Sequence, residues 1–363
     1  MRVRRLAALV GSAAVLLAAC SASGSPAPSG GGGGGGTAAG CTIGVSWNNY
    51  QEERWAKWDE PAIKKAIEDA GGKYVSNDAK SSAETQASNV ANLISQGAKV
   101  VIILAQDGKA IKPAVADALS NGVQVIAYDR LIEDPKALYI TFDNVLVGKM
   151  QAEAVLKVVS QGNFAVIKGN KADANADFLR QGYVQAGVPD VGQNSDKIKI
   201  VGETYTDNWD PSKAQTNMEQ ILTANGNKID AVLSENDGMA GGVVAALQAQ
   251  GLAGKVPVSG QDGDAPALNR VALGTQTVDV WKDARQLGKS AGEAAVQLCS
   301  NKDIKAVKNV GSFKSPEGND MTSILLTPQA ITKDTLNIVL DAGWITKDAL
   351  CKDVKAGSVP ACG

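Results

Sequence analysis

The sequence predicts an α/β protein built from two doubly wound, Rossmann-like domains joined by a hinge of three strands. Three observations carry that expectation. From Thr42 onward, short β-branched runs alternate with amphipathic stretches of helical period, the pattern of repeated βα units. About 320 of the 363 residues follow Gly40, more than one hydrophobic core usually serves. The third observation is the stretch Val123 to Asn144, VQVIAYDRLIEDPKALYITFDN. Val123, Val125, Ile126 and Ala127 make a short strand that stops at Tyr128 and delivers Asp129 and Arg130 to its C-terminal end. The next strand, Leu138 to Phe142, is followed by Asp143 and Asn144, with no room for a covering helix between the two strands. Such a gap implies that the chain leaves one sheet and enters another. In open α/β sheets the C-terminal strand edge is also where ligands sit.

Residues 1–20 carry three arginines, an apolar run from Leu6 to Ala19 and small residues before Cys20. The run is too short to span a bilayer and reads as an export signal. Leu17-Ala18-Ala19-Cys20 resembles the lipobox of bacterial lipoproteins, which makes Cys20 the lipidation candidate and puts the protein on the outer face of the cytoplasmic membrane. Residues 21–40 are nearly all Gly, Ser, Ala and Pro, the composition of a flexible tether.

Thr42 to Ser46 then reads as a strand, Trp55 to Ala70 as a helix ended by Gly71-Gly72, Lys73 to Val75 as a strand and Ala83 to Gln96 as a helix. Val100 to Leu104 is a continuous β-branched run, as in a parallel strand buried on both faces, and Ile111 to Ser120 is the next helix. The second half repeats the logic. Val145 to Val159, Ala174 to Ala186, Pro211 to Ala224 and Gly238 to Gln250 read as helices, interleaved with strands at Phe164 to Ile167, Ile198 to Val201, Ile229 to Leu233 and Val256 to Ser259. Asp210 and Pro211 supply an N-cap and a first-turn proline to their helix. Thr277 to Trp281 is a strand, Leu287 to Cys299 a helix, Thr322 to Leu326 a last strand, and a helix lies near Thr332 to Asp341. Crossings near Tyr139 to Phe142, Gln276 to Val280 and Ser323 to Leu326 divide the chain into an N-terminal lobe of 41–142 and 283–322 and a C-terminal lobe of 143–282 and 323–363. A cleft between the lobes follows.

Composition removes several functions. Net charge is −2 and no basic block follows Arg5, so nucleic acid is not an expected partner. The chain has no histidine, which takes away the commonest general base, the Ser-His-Asp and Cys-His pairs and the usual zinc sites. An enzyme is not expected, and neither a cofactor nor a metal. Gln261 to Asp264 reads QDGD but lacks the remaining ligands of a calcium loop. With Cys20 set aside, Cys41, Cys299, Cys351 and Cys362 remain, an even count that in an exported chain favours two disulfides among three connectivities.

Polar and aromatic residues recur where strands end: Arg54 and Trp55, Asp129 and Arg130, Asn175, Trp209, Asn236 and Asp237, Gln261 and Asp262, and Lys282. Fork-shaped donors and acceptors beside flat rings suit a sugar, whose hydroxyls both donate and accept and whose C–H faces stack on indole. Each residue also has a plain structural use. Asp237 reads as the cap of the helix beginning at Gly238, leaving Asn236 the better ligand candidate. Trp55 and Trp209 fit a core, Asp129 and Arg130 a structural ion pair, and Asn175 and Lys282 a solvated surface.

The segments Glu53-Arg54-Trp55, AYDRLI at 127–132, FDN at 142–144, NKIDAV at 227–232, ND at 236–237, AGG at 240–242, QGLAGKVPVSGQD at 250–262 and GTQT at 274–277 resemble, in the same order, the xylose-binding and multi-sugar class of bacterial periplasmic sugar-binding proteins. The likeness runs from about Cys41 to Trp344. It implies a type I periplasmic binding protein fold and a lipid-anchored receptor that closes on a monosaccharide, D-xylose foremost. Another aldose or polyol is the alternative, as is a receptor feeding a chemosensory partner. The implied partner is the permease of an ABC importer, and the implied state is a monomer. By the same resemblance Arg54, Asp129, Arg130, Asn175, Asn236, Asp262 and Lys282 hydrogen-bond the sugar, Trp209 stacks on it, and Trp55 is a second wall. Two departures lie beside this set: the loop 168–175 keeps one asparagine, Asn175 after Ala174, at the place where xylose binders have two in succession, and Glu235 precedes Asn236 where a small residue is commoner. On this architecture Cys41 and Cys299 fall at the end of one lobe remote from the cleft, and Cys351 and Cys362 close a short loop in the tail.

Overall fold

The computed structural model describes residues 38–190, 192–193 and 195–363. The expected export signal, Cys20 and the expected tether up to residue 37 lie outside the described residues. The first half alternates β1 (Thr42–Trp47), α1 (Glu60–Asp69), β2 (Lys73–Asp78), α2 (Ala83–Ser95), β3 (Ala98–Ile103), α3 (Lys112–Ser120), β4 (Gln124–Tyr128) and β5 (Leu138–Phe142). The second runs α4 (Asn144–Val158), β6 (Gly162–Lys168), α5 (Ala174–Gln185), β7 (Ile198–Tyr205), α6 (Pro211–Ala224), β8 (Ala231–Ser234), α7 (Asp237–Ala249), β9 (Ser259–Gln261), α8 (Ala265–Leu273) and β10 (Val278–Trp281). The chain then returns through α9 (Ala284–Ser300), β11 (Gly311–Lys314) and β12 (Asp320–Leu326), and ends in β13 (Gln329–Ile331), α10 (Asn337–Asp341) and α11 (Lys347–Leu350).

The larger sheet has the order β2-β1-β3-β4-β5-β12-β11, parallel except for β11. The second half orders β7-β6-β8 and β9-β10-β13, and a parallel bridge from Val232 to Val258 sets these two groups side by side. Both halves therefore repeat the doubly wound order 2-1-3-4-5, whose binding crevice opens where the winding reverses. We call the halves built on these sheets the first and second lobes. Helices form where the sequence supplies an apolar stripe and a cap: Ser82 Oγ accepts from the Thr85 N–H, and Asp210 Oδ1 from the amides of Ser212 and Lys213. In the first lobe Ile43, Val45 and Trp47 of β1 pack on Ile63 and Ile67 of α1 and on Leu287 and Ala291 of α9. Burying each large aliphatic side chain of this kind contributes about 1.5–3 kcal/mol.

The chain, expected to change sheets between β4 and β5, does not: the two pair in parallel as neighbours, Ile126 to Tyr128 on Leu138 to Ile140, joined without a helix, and the chain leaves this sheet only after Phe142. Several boundaries also differ from the sequence expectation for identifiable reasons. The helix expected from Trp55 opens with a π-helical turn, Trp55–Asp59, closed by the Glu60 N–H on the Trp55 carbonyl. The strand expected at Val256 to Ser259 lies at Ser259–Gln261, because Pro257 has no N–H to give a ladder. The helix expected at Thr332 begins at Asn337, since Thr335 Oγ1 accepts from the Thr332 N–H at 2.8 Å and makes a turn there. Strand β11 gives no periodic signal, for its residues are mostly exposed. Strand β12 pairs Ser323 to Leu326 with Tyr139 to Phe142, so residues 323–326, expected in the C-terminal lobe, stay in the larger sheet, and the crossing falls between Leu326 and Gln329.

Cys41 is bonded to Cys299, and Cys351 to Cys362. The first bridge ties the start of β1 to the end of α9, and the second closes an 11-residue separation, a constraint worth on the order of 3 kcal/mol. Among the described residues no helix is long and apolar enough to cross a membrane.

Candidate functional site

The C-terminal strand edges of the two lobes face each other across a narrow cleft, and the loops after β1, β4, β6, β7, β8, β9 and β10 meet there. About 270 Å³ of space lies between walls made by Glu52, Trp55, Asp129 and Arg130 from the first lobe and Asp173, Asn175, Trp209, Asn236, Gln261, Asp262 and Lys282 from the second. The lobes are drawn together by Gln106 Nε2 donating to Asn208 Oδ1 at 2.8 Å and Gln51 Nε2 to the Asn208 carbonyl at 3.3 Å. This is a closed arrangement.

Eight of the nine residues expected to meet a ligand line this space; Arg54 stands behind them. Its Nε and Nη2 donate to the two oxygens of Asp59 at 3.0 and 2.8 Å, and its Nη1 lies 3.2 Å from both Asp129 Oδ2 and Asp262 Oδ1. The π-helical turn explains the displacement: with more residues per turn than an α-helix, positions five apart share a face, and Arg54 meets Asp59. Arg54 therefore orients two carboxylates that line the cleft. Burial pushes Asp59 up to about 6 against the pull of Arg54. At Asp262 burial also opposes ionisation, but Lys282 at 2.9 Å and Arg54 outweigh it and hold the carboxyl below its usual range.

Arg130 joins the two tryptophan walls. Its Nη2 donates to Glu52 Oε1 at 3.3 Å, and its Nε lies 3.0 Å from Asp173 Oδ2 across the cleft. The Trp55 indole N–H donates to Glu52 Oε2 at 2.6 Å, and that of Trp209 to Asp173 Oδ2 at 3.2 Å. Burial raises the pKa of Glu52 and of Asp173, and Arg130 offsets this only in part. Trp209 lies against Gly169, where a Cβ would stand 2.2 Å from the ring, so only glycine lets the indole approach.

Three wall residues have left-handed backbone: Asp129 at φ 60°, Trp209 at 58° and Asp262 at 103°. Each such conformation costs about 1–3 kcal/mol and persists only where surroundings enforce it. Asp129 is held by its N–H on the Ile140 carbonyl at 2.8 Å, while its own carbonyl accepts from Thr141 Oγ1 at 2.8 Å and Asn175 Nδ2 at 3.2 Å.

Asn236 and Asp237 exchange their expected roles in part. Asn236 is the N-cap of α7, its Oδ1 accepting from the Met239 N–H at 2.9 Å, which leaves its amide nitrogen for the cleft. Asp237, expected as the cap, is the first helical residue, and its carboxylate accepts from the amides of Gly263 and Asp264. Glu52 and Asp173 were missing from the candidate set, and Gln261, noted at a strand end, was not among the residues assigned to the ligand. Asp173 caps α5 and Gln261 adjoins Asp262 in the QD pair, so both left a local signal; Glu52 lies in a loop without periodicity and left none.

A family model for the periplasmic binding protein domain matches residues 43–303. The chain is 39% identical to the D-xylose-binding periplasmic protein of Escherichia coli (strain K12) over 86% of its own length and 89% of that protein. It is 31% identical to a multiple sugar-binding periplasmic receptor of Rhizobium radiobacter, over 85% of this chain and 92% of the relative. Among solved structures, a carbohydrate transporter solute-binding protein from Chloroflexus aurantiacus in complex with D-glucose superposes with a TM-score of 0.76 at 27% identity, covering 86% of this chain and 98% of that one. With the family model spanning most of the chain and the cleft built on paired doubly wound lobes, this chain belongs to the periplasmic sugar-binding protein family, whose members are receptors and not enzymes.

Proposed function

We propose that this chain is a lipid-anchored, extracytoplasmic solute-binding protein that closes on one monosaccharide, D-xylose foremost, and presents it to the permease of an ABC importer. The observation that carries the reading is a closed polar cleft walled by two indoles, in which carboxylates outnumber cations: Glu52, Asp129, Asp173 and Asp262 face Arg130 and Lys282, with Arg54 behind. Anions are disfavoured there, while a neutral ligand rich in hydroxyls finds acceptors and donors on every side. Hinge closure is the family's mode of capture, and the contacts of Gln106 and Gln51 with Asn208 fit it. A thermal-shift panel of neutral pentoses, hexoses and inositols beside their uronate counterparts tests the proposal. D-xylose should raise the melting temperature most and uronates should not raise it; no shift with any neutral sugar would end this reading.

A second reading, another aldose or a polyol, is favoured by Glu235. Its Oε2 accepts from the Gly169 N–H at 2.6 Å, directly beneath Trp209, so the departure from a small residue bears on the stacking wall. The same panel ranks the two readings.

Two variants extend the test. Trp209→Ala should weaken sugar binding by about 1 kcal/mol or more through lost stacking, measured by calorimetry. Cys20→Ser, which removes the acceptor of the lipid, should move the protein from membrane to soluble fractions; unchanged retention would discard the anchor.

A further inference from the structure

We infer that Glu52 is a positioning residue for this pocket: it fixes the Trp55 wall through the indole N–H and, with its other oxygen, holds Arg130, which ties that wall to the opposite one. The inference rests on the sugar reading above and names the residue that sets the pocket's shape. Glu52 and Trp55 are three residues apart at the mouth of the π-helical turn, and their 2.6 Å bond lies within the first lobe, so it does not depend on closure. The Arg54 guanidinium lies 4.3 Å from the centroid of the Trp55 ring and fixes its tilt, but an ion above a ring leaves it free to turn in its own plane. The bond at the indole edge stops that turning.

The second lobe repeats the device. Asp173 takes the indole N–H of Trp209 at 3.2 Å and meets Arg130 at 3.0 Å, as Glu52 takes that of Trp55 and meets Arg130 at 3.3 Å. Two rings, two carboxylates and one guanidinium thus form a chain across the cleft. Removing Glu52 strands a buried indole N–H and leaves Arg130 on Asp173 and the Ala105 carbonyl alone.

The test uses the chain labelled with ¹⁵N at its six tryptophans, with Trp55→Phe assigning the Trp55 indole resonance. Glu52→Leu should move that resonance upfield and remove its protection from exchange, and Glu52→Gln, which keeps a neutral acceptor, should move it less. Sugar affinity by calorimetry should fall roughly tenfold for Glu52→Leu, but by less than about threefold when the change is made in a Trp55→Phe background. An unmoved resonance would overturn the assignment. So would an equal loss in both backgrounds, which would mean that Glu52 acts on the sugar directly or through Arg130 and not through the Trp55 wall. If Glu52→Leu does not fold, Glu52→Gln decides by the same spectrum, a shifted resonance supporting the role and an unshifted one refuting it. The spectra need no sugar, so a chain that bound nothing in the panel would end the sugar reading while the role of Glu52 was still read directly.

Discussion

Replacing Asp129 with alanine should weaken sugar binding by on the order of 2 to 5 kcal/mol, tens to thousands of fold. Asp129 stands at the C-terminal end of β4, buried in the cleft wall, with Oδ2 3.2 Å from Arg54 Nη1. A carboxylate so placed is held by a charge from behind and presents its remaining acceptor capacity to the ligand, where no water competes once the lobes close. Truncation removes that charge-assisted bond and leaves a sugar hydroxyl buried without a partner. Arg54 keeps Asp59 and Asp262, so the scaffold behind the wall should survive. Calorimetry measures the loss, with circular dichroism checking the fold, since alanine inherits the left-handed backbone at φ 60°. If the variant binds as tightly as the parent, Asp129 serves only to pair Arg54, and the ligand must lie elsewhere in the cleft.

What made Asp129 legible in the sequence is the rule that parallel sheets carry ligands at their C-terminal edges. Strand runs such as VVII in β3 announce themselves by burial on both faces, and the polar residue after each one can be read off. That reasoning gathered Asp129, Arg130, Asn236, Asp262 and Lys282 from positions far apart in the chain, and the fold sets them side by side. Three features were beyond it. Arg54 retreats behind the wall because a π-helical turn pairs it with a residue five positions on, and nothing in the residue types of RWAKWD distinguishes that turn from an α-helical one. A shift of one residue in the start of α7 moved the cap from Asp237 to Asn236, and helix ends are the least determined part of any pattern. Glu52 works through the edge of an indole, a contact that depends on loop geometry and carries no period at all.

Changing Asp279 to asparagine should stabilise the protein at neutral pH and above, and leave it nearly unchanged below about pH 4. Asp237 and Asp279 are both buried, and one oxygen of each accepts from the same Gly263 N–H at 3.1 Å. Two carboxyls so close in a low-dielectric site cannot both ionise without cost. Burial, joined by the charges of Asp264 and Asp262, pushes Asp279 up to about 7, and burial together with Asp279 raises Asp237 as well. The cations nearby are committed elsewhere: Arg270 Nη2 donates to the Asp237 carbonyl, and Lys282 pairs with Asp262. A carboxyl with a raised pKa binds its proton more tightly in the folded chain than in the unfolded one. Its contribution is therefore complete below the unfolded value and is lost as pH rises toward about 7, a change on the order of 4 kcal/mol over some three pH units. Asp59, raised to about 6, acts with the same sign, whereas Asp262, held low by Lys282 and Arg54, acts only in strongly acid solution. Asparagine at 279 keeps an acceptor for Gly263, offers Asp237 a donor and removes one charge. Urea unfolding at pH 4, 5, 6, 7 and 8 should show parent stability falling as pH rises toward 7 and the variant's falling less; a parent curve that is flat or rises would refute the raised pKa of Asp279. Gly263, whose N–H both carboxyls share, follows Asp262, so the pair adjoins the loop that carries the Asp262–Lys282 contact. Sugar affinity in the parent should accordingly weaken above pH 7, and in Asp279→Asn it should not.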